Sequence, residues 1–147
     1  MKFSTGEKLR IQFRKSLRKG YTKNAELDPP VPPEISSVLE AGERLDVRVD
    51  STKSRHYWFT DRRLLGKDGS GVCELLRYDA VVSAHWMFKD FWTSRVRLLD
   101  SEEKASTFKR DHFDRLEIEL PDRLVVLDGL DQAYDPVLKF FWWITRV

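Results

Sequence analysis

From Glu43 onward the chain reads with a period of two. Leu45, Val47 and Val49 alternate with Arg44, Asp46, Arg48 and Asp50, which predicts a strand with one dry and one wet face. Similar short runs follow in quick succession. Arg55 to Thr60 is rich in aromatics, Arg62 to Leu65 follows a bend at Thr60-Asp61, and Lys67-Asp68-Gly69-Ser70-Gly71 has the composition of a hairpin turn. Val72 to Tyr78, Ala80 to Phe88 and Arg95 to Leu99 extend the series. Leu116, Ile118 and Leu120 alternate with Arg115, Glu117 and Glu119, and Pro121-Asp122 turns the chain into Leu124 to Leu127. No helical segment separates these runs as a parallel sheet would require, so the pattern predicts a mainly β antiparallel barrel or sandwich. Residues 100 to 112 are charged and aperiodic, as expected of a long hairpin loop.

Both ends read differently. Leu9, Phe13 and Leu17 recur every four residues, predicting a helix from Thr5 to Lys19 that Gly20 ends. Asp28-Pro29-Pro30-Val31-Pro32-Pro33 cannot be helical and reads as an extended spacer. A short helix follows over Pro33 to Glu40, with Gly42 as its stop. This divides the chain into an arm and linker, 1–33, and a domain, 34–147, with 43–147 expected to fold without the arm. At the other end, Asp135 can cap and Pro136 can open a terminal helix that plugs the barrel. Its run from Val137 to Ile144 is apolar around more than one face. Leu138, Trp142 and Trp143 are therefore expected to point outward, where the short helix at Ile35, Val38 and Leu39, the N-terminal arm or a second copy of the chain could cover them. A symmetric second copy, giving a homo-oligomer, is the favoured cover.

Composition sets the class. With 147 residues, 41% apolar, the chain suits one soluble domain, and the single Cys73 excludes a disulfide framework. The formal net charge is only +2, yet residues 1 to 24 hold eight Lys or Arg against Glu7 alone, which makes +7 there and leaves −5 for the rest. No apolar run is long enough for a membrane span and no secretory signal is evident, so the expected location is cytoplasmic, with peripheral attachment to a membrane an option. Arg10, Arg14, Lys15, Arg18 and Lys19 of the basic arm could bind an anionic membrane surface with Leu9, Ile11, Phe13 and Leu17 inserted, an acidic protein, or nucleic acid.

Catalytic chemistry has little to work with. His56, His85 and His112 lie on three separated segments without metal-ligand spacing, so no metal site is predicted. Ser83, His85 and Asp79 lack the nucleophile elbow of a hydrolase, and Glu117 and Glu119 read as the solvent face of a strand. Gly66 to Gly71 lacks the ending of a phosphate loop, so no catalytic residue and no cofactor is implied. Tyr57, Trp58, Trp86, Phe88, Phe91 and Trp92 beside Arg55, Lys89, Arg95 and Arg97 could form a stacking platform for single strands, but the interior of a small barrel needs large side chains too.

Four features in order carry a family resemblance. Gly42-Glu43 opens a strand, and Tyr57-Trp58-Phe59-Thr60-Asp61-Arg62-Arg63-Leu64-Leu65 resembles the aromatic-Thr-Asp-x-Arg-Leu segment of bacterial pleckstrin-homology-like (PH-like) domains. Leu76-Arg77-Tyr78-Asp79-Ala80-Val81 is similar to that family's next strand, and Trp142 or Trp143 falls where its closing helix carries an aromatic. The resemblance covers about residues 34 to 147. It implies a strongly bent antiparallel barrel or sandwich of about seven strands closed by a C-terminal helix. It also implies a non-enzymatic binding or assembly module, since the fold hosts headgroup binders, peptide binders and assembly modules alike. Headgroup binders of the family place cations around the first hairpin, where this chain has Lys53 and Arg55 with Arg62 and Arg63 at the next bend. Asp50 and Asp61 stand among them.

Overall fold

The computed structural model describes residues 2–52, 56–68, 71–86 and 115–145. Helix α1 spans Thr5–Arg18 and strand β1 Ala25–Leu27; a one-turn helix, α2, spans Pro33–Ser36. Strands β2 (Leu45–Asp50), β3 (His56–Thr60), β4 (Arg63–Asp68) and β5 (Gly71–Arg77) follow. A 3-10 turn at Tyr78–Ala80 leads to β6 (Ser83–Trp86), then β7 (Leu116–Glu119) and β8 (Leu124–Leu127). A second 3-10 turn at Asp131–Ala133 leads into helix α3, Tyr134–Thr145.

The described strands form two antiparallel sheets, β1-β2-β3-β4-β5 and β6-β7-β8, which do not close into one barrel among the described residues. The break falls at the boundary between the runs read as Val72 to Tyr78 and Ala80 to Phe88. Tyr78 opens a 3-10 turn there, and its hydroxyl donates to the Thr60 carbonyl at 2.8 Å and pins the chain to the β3–β4 corner. The chain then passes into the second sheet through Val81 and Val82 without pairing β5 to β6. The expected strand Arg95 to Leu99 and the loop 100 to 112 lie outside the described residues.

Within the first sheet, alternation sorts side chains onto two faces. Tyr57 and Phe59 enter the main core with Val47, Val49 and Leu64, whereas Trp58 and Leu65 join a smaller cluster that Ile35 of α2 covers. An irregularity in the β2–β3 register between Leu45 and Val47 turns Leu45 to the smaller cluster and leaves Asp46, fully buried, facing α1. The second sheet keeps the expected alternation: Leu116 and Ile118 are buried, while Glu119 is exposed.

The N-terminal segment differs most from expectation. Ser4 caps α1 by accepting the Glu7 N–H at 3.2 Å, and Glu7 accepts the Ser4 N–H at 2.8 Å in return. Gly20, at φ 74°, stops the helix as expected. But Leu9 and Phe13 are fully buried in the main core beside Phe140 and Phe141 of α3, and β1 pairs with β2. A spacer that held the arm apart is not seen, because the chain between α1 and the prolines is itself a strand of the first sheet. Burying Leu9 and Phe13 contributes about 1.5–3 kcal/mol each, which makes α1 part of the core.

Candidate functional site

Four sides of α1 meet four surroundings. Its inner side carries Gly6, Leu9, Phe13 and Ser16, all buried. Gly6 is needed there: a Cβ at that position would stand 2.9 Å from Asp61 Cβ and 3.4 Å from Asp61 Cα, so the helix backbone lies almost against the β3–β4 corner.

One flank is an ion-pair clamp. Arg10 binds Asp28 with both terminal nitrogens and reaches Asp46 at 3.2 Å, while Arg44 binds Asp46 from the other side. The hydrogen bond from Arg10 holds the Asp28 carboxyl below its ordinary value against the opposing effect of burial, and Arg10 is held as a cation in turn. Arg10, expected in the basic arm, thus fastens α1 to the sheet and is not offered to a partner.

The opposite flank meets α3. Lys8 Nζ sits 5.7 Å from the centre of the Trp143 ring, and Phe3 meets the same ring edge to face at 5.8 Å. Trp143 is therefore covered from within the chain. Trp142 stays 36% exposed and donates its indole N–H to the Ala84 carbonyl at 3.2 Å. Leu138, expected to point outward, is buried in the main core and has no surface to give an interface.

The outer side holds Arg14, Lys15, Arg18 and Lys19, all exposed. None of the four forms an ion pair among the described residues, though Arg14 is near enough to help hold the Asp28 carboxyl low; Lys19 lies 5.9 Å from the ring centre of Tyr21, itself 68% exposed. The contrast with other arginines is sharp. Arg44, Arg48, Arg63, Arg77 and Arg123 each have an acidic partner within 4.0 Å. Lys15 and Arg18 also lie in the last turn of α1, where cations complement the helix dipole. Ile11, half-buried, sits among these cations on the same side of the helix.

The hairpin cations suggested by the resemblance are dispersed. Lys53 and Arg55 lie outside the described residues. Arg62 is exposed, donates to the Ala41 carbonyl at 3.0 Å and faces Glu40 at 3.7 Å. Arg63 is buried: it donates to Glu43 at 2.9 and 3.0 Å, to Glu74 at 3.2 Å and to the Val38 carbonyl at 2.7 Å. Thr60 completes this network, donating to Glu43 at 2.6 Å and accepting the N–H groups of Arg62 and Arg63. With its donors so occupied, the Arg63 guanidinium is a structural group and not an anion receptor. The motif residues Glu43, Thr60, Asp61 and Arg63 build a corner, Asp61 adding a 3.0 Å bond from the Arg44 N–H.

The candidate chemistry resolves similarly. Ser83, His85 and Glu119 do meet, with Ser83 Oγ 2.7 Å from both His85 Nε2 and a Glu119 oxygen. The carboxylate and the imidazole contact the hydroxyl through the same side, and Glu119 reaches Nε2 as well, at 3.5 Å. Among the described residues nothing bonds Nδ1 as a triad requires, and Asp79 takes no part in these contacts. His56 faces Asp50 at 2.8 Å, and His112 lies outside the described residues. Among the described residues no three His, Cys, Asp or Glu side chains could hold a metal ion. Of the expected stacking platform, Tyr57 and Trp58 are buried in the two cores, while Phe88, Phe91 and Trp92 lie outside the described residues.

Fold and site together define a mainly β domain of two antiparallel sheets, with a cationic helix docked across one end of its core. No family model, curated protein or solved structure matches the chain.

Proposed function

We propose that this chain is a non-enzymatic binding module of PH-like fold that attaches to an anionic membrane surface through the outer face of α1. Among the described residues, strands β2 to β8 followed by a closing helix agree with the outline the resemblance implies, and Glu43, Thr60 and Arg63 of the motif bond to one another at a single corner. The observation that carries the function is the exposed quartet Arg14, Lys15, Arg18 and Lys19, none of which forms an ion pair among the described residues, whereas Arg44, Arg48, Arg63, Arg77 and Arg123 do. Helix insertion is not the mode, because Leu9 and Phe13 are already committed to the core. The contact is electrostatic, with Ile11 and the 43% exposed Phe3 adding apolar area beside the cations. No helix among the described residues is long and apolar enough to cross a membrane.

Vesicle flotation tests this reading. Binding to phosphatidylserine-containing vesicles is expected, none to pure phosphatidylcholine, and loss on changing Arg14, Lys15, Arg18 and Lys19 to Gln. Retention of a DNA fragment by the natural chain, with no vesicle binding, would replace the membrane with nucleic acid. Unchanged vesicle binding by the fourfold variant would remove α1 as the site.

A further inference from the structure

We propose that the cleft between α1 and α3 is a second site, specific for a small organic anion with a flat apolar body. Gln12, Lys139, Trp142 and Trp143 line it, and its volume is about 440 Å3. Small-ligand clefts span roughly 300–1,000 Å3, so one or two fused rings fit and a helix or strand does not.

Each lining group has a definite part. The Trp142 N–H is engaged by Ala84, which fixes the indole and leaves its exposed carbon framework as contact surface. Trp143 is held by Phe3 and Lys8, so both walls are set in place without ligand. The Gln12 side-chain amide makes no hydrogen bond among the described residues and can donate into the cleft. Charge selects the ligand's sign: Lys139 is in the lining, Lys8 stands over Trp143, and Lys15, three residues beyond Gln12, is on the same side of α1. Asp135 is the one described carboxylate paired with any of them, at 3.0 Å from Lys139 and one turn away on α3. A second copy of the chain is a poorer occupant, because a two-fold contact centred here would set these lysines against their own counterparts.

The probe is 1-anilinonaphthalene-8-sulfonate, with uncharged N-phenyl-1-naphthylamine as its control. Binding is read by fluorescence and by the indole N–H signals of the full chain, assigned through Trp142→Phe and Trp143→Phe. Saturable one-site binding is expected, with the Trp142 and Trp143 signals moving and that of buried Trp58 still. Lys15→Gln with Lys139→Gln, both exposed and neither among the contacts that hold Trp143, is expected to weaken the sulfonate by about fivefold and leave the uncharged probe unchanged, in keeping with exposed charge contacts. Equal sulfonate affinity in natural and double-variant chains, shifts spread over all indoles, or no saturable binding would overturn the proposal. So would a natural chain that dimerises and becomes monomeric on Trp142→Ala, which would assign the cleft to a second copy.

Discussion

At Glu43 two opposing effects meet. Burial pushes its carboxyl up, but hydrogen bonds from Arg63, Thr60 and the Glu40 N–H outweigh it and bring the pKa down to about 2 from 4.5. A depressed carboxyl stabilises the fold above its unfolded value and ceases to do so as pH falls through its folded value. Stability is therefore expected to fall between about pH 4.5 and 2, by up to about 3 kcal/mol from this group. Glu43→Gln is expected to flatten that part of the pH profile in urea unfolding. It should also cost about 3–5 kcal/mol at neutral pH, because Arg63 stays buried with its charge only partly matched by Glu74. Gly6 offers a second single-residue check. A side chain there meets Asp61, whose Cβ belongs to a corner held by the Arg44 N–H and cannot yield easily. Gly6→Val should destabilise by about 1–3 kcal/mol by overpacking, measured by the same unfolding curves. A neutral result would mean that α1 can ride outward from the corner without loss.

Whether α1 is an element of the core or an appendage decides what truncation does. Leu9 and Phe13 sit among Val47, Phe59 and Phe140, and β1 supplies the edge strand of the first sheet. Removing residues 1–28 is expected to abolish cooperative thermal unfolding, and Phe13→Ala alone to cost about 3–5 kcal/mol. A truncated chain that unfolds as sharply as the whole would show the remaining core to be self-sufficient. The elements themselves were largely legible from periodicity. The helix read as Thr5 to Lys19 is Thr5–Arg18, the alternation at Leu116 to Leu120 is β7, and the Pro121-Asp122 turn leads into β8. Their docking was not legible. A stripe of Leu9, Phe13 and Leu17 shows that a face is apolar, not what covers it, and three-residue β1 is too short to display a period. The same limit applies at the site. The cations of α1 are visible as a cluster, but Arg10 looks like its neighbours until Asp28 and Asp46, 18 and 36 residues away, are brought beside it. Arg63 is likewise separated from Glu43 by 20 positions. Its position among basic neighbours suggested an anion site, whereas the fold spends it on a corner.

Over the whole molecule the formal charge is only +2, so what matters is where charge is left uncompensated. Among the described residues Arg10, Arg44, Arg48, Arg62, Arg63, Arg77 and Arg123 are matched locally; the outer face of α1 forms no ion pair. Folding and binding should therefore respond separately to the same four residues. Arg14 and Arg18, like Lys15 and Lys19, are four positions apart, and each such like-charge pair costs about 0.2–0.5 kcal/mol on a helix. Relief of that repulsion on substitution by Gln is offset by loss of the dipole contact of Lys15 and Arg18, worth about 0.3–1 kcal/mol each when exposed. The two partly cancel, so the fourfold Gln variant is expected to unfold within about 1 kcal/mol of the natural chain. Its net charge falls by four, from +2 to −2. Binding should not show this cancellation, since each cation near an anionic leaflet contributes about 1 kcal/mol and four together correspond to about a thousandfold in partitioning. Raising salt should reproduce the same split, because the Debye length shrinks from about 10 Å at 0.1 M to about 3 Å at 1 M. Vesicle binding by the natural chain would then fall steeply, while its unfolding midpoint holds or rises slightly as repulsion along α1 is screened. A midpoint that fell together with binding would show that the four cations support the fold itself, and their exposure would no longer argue for a partner.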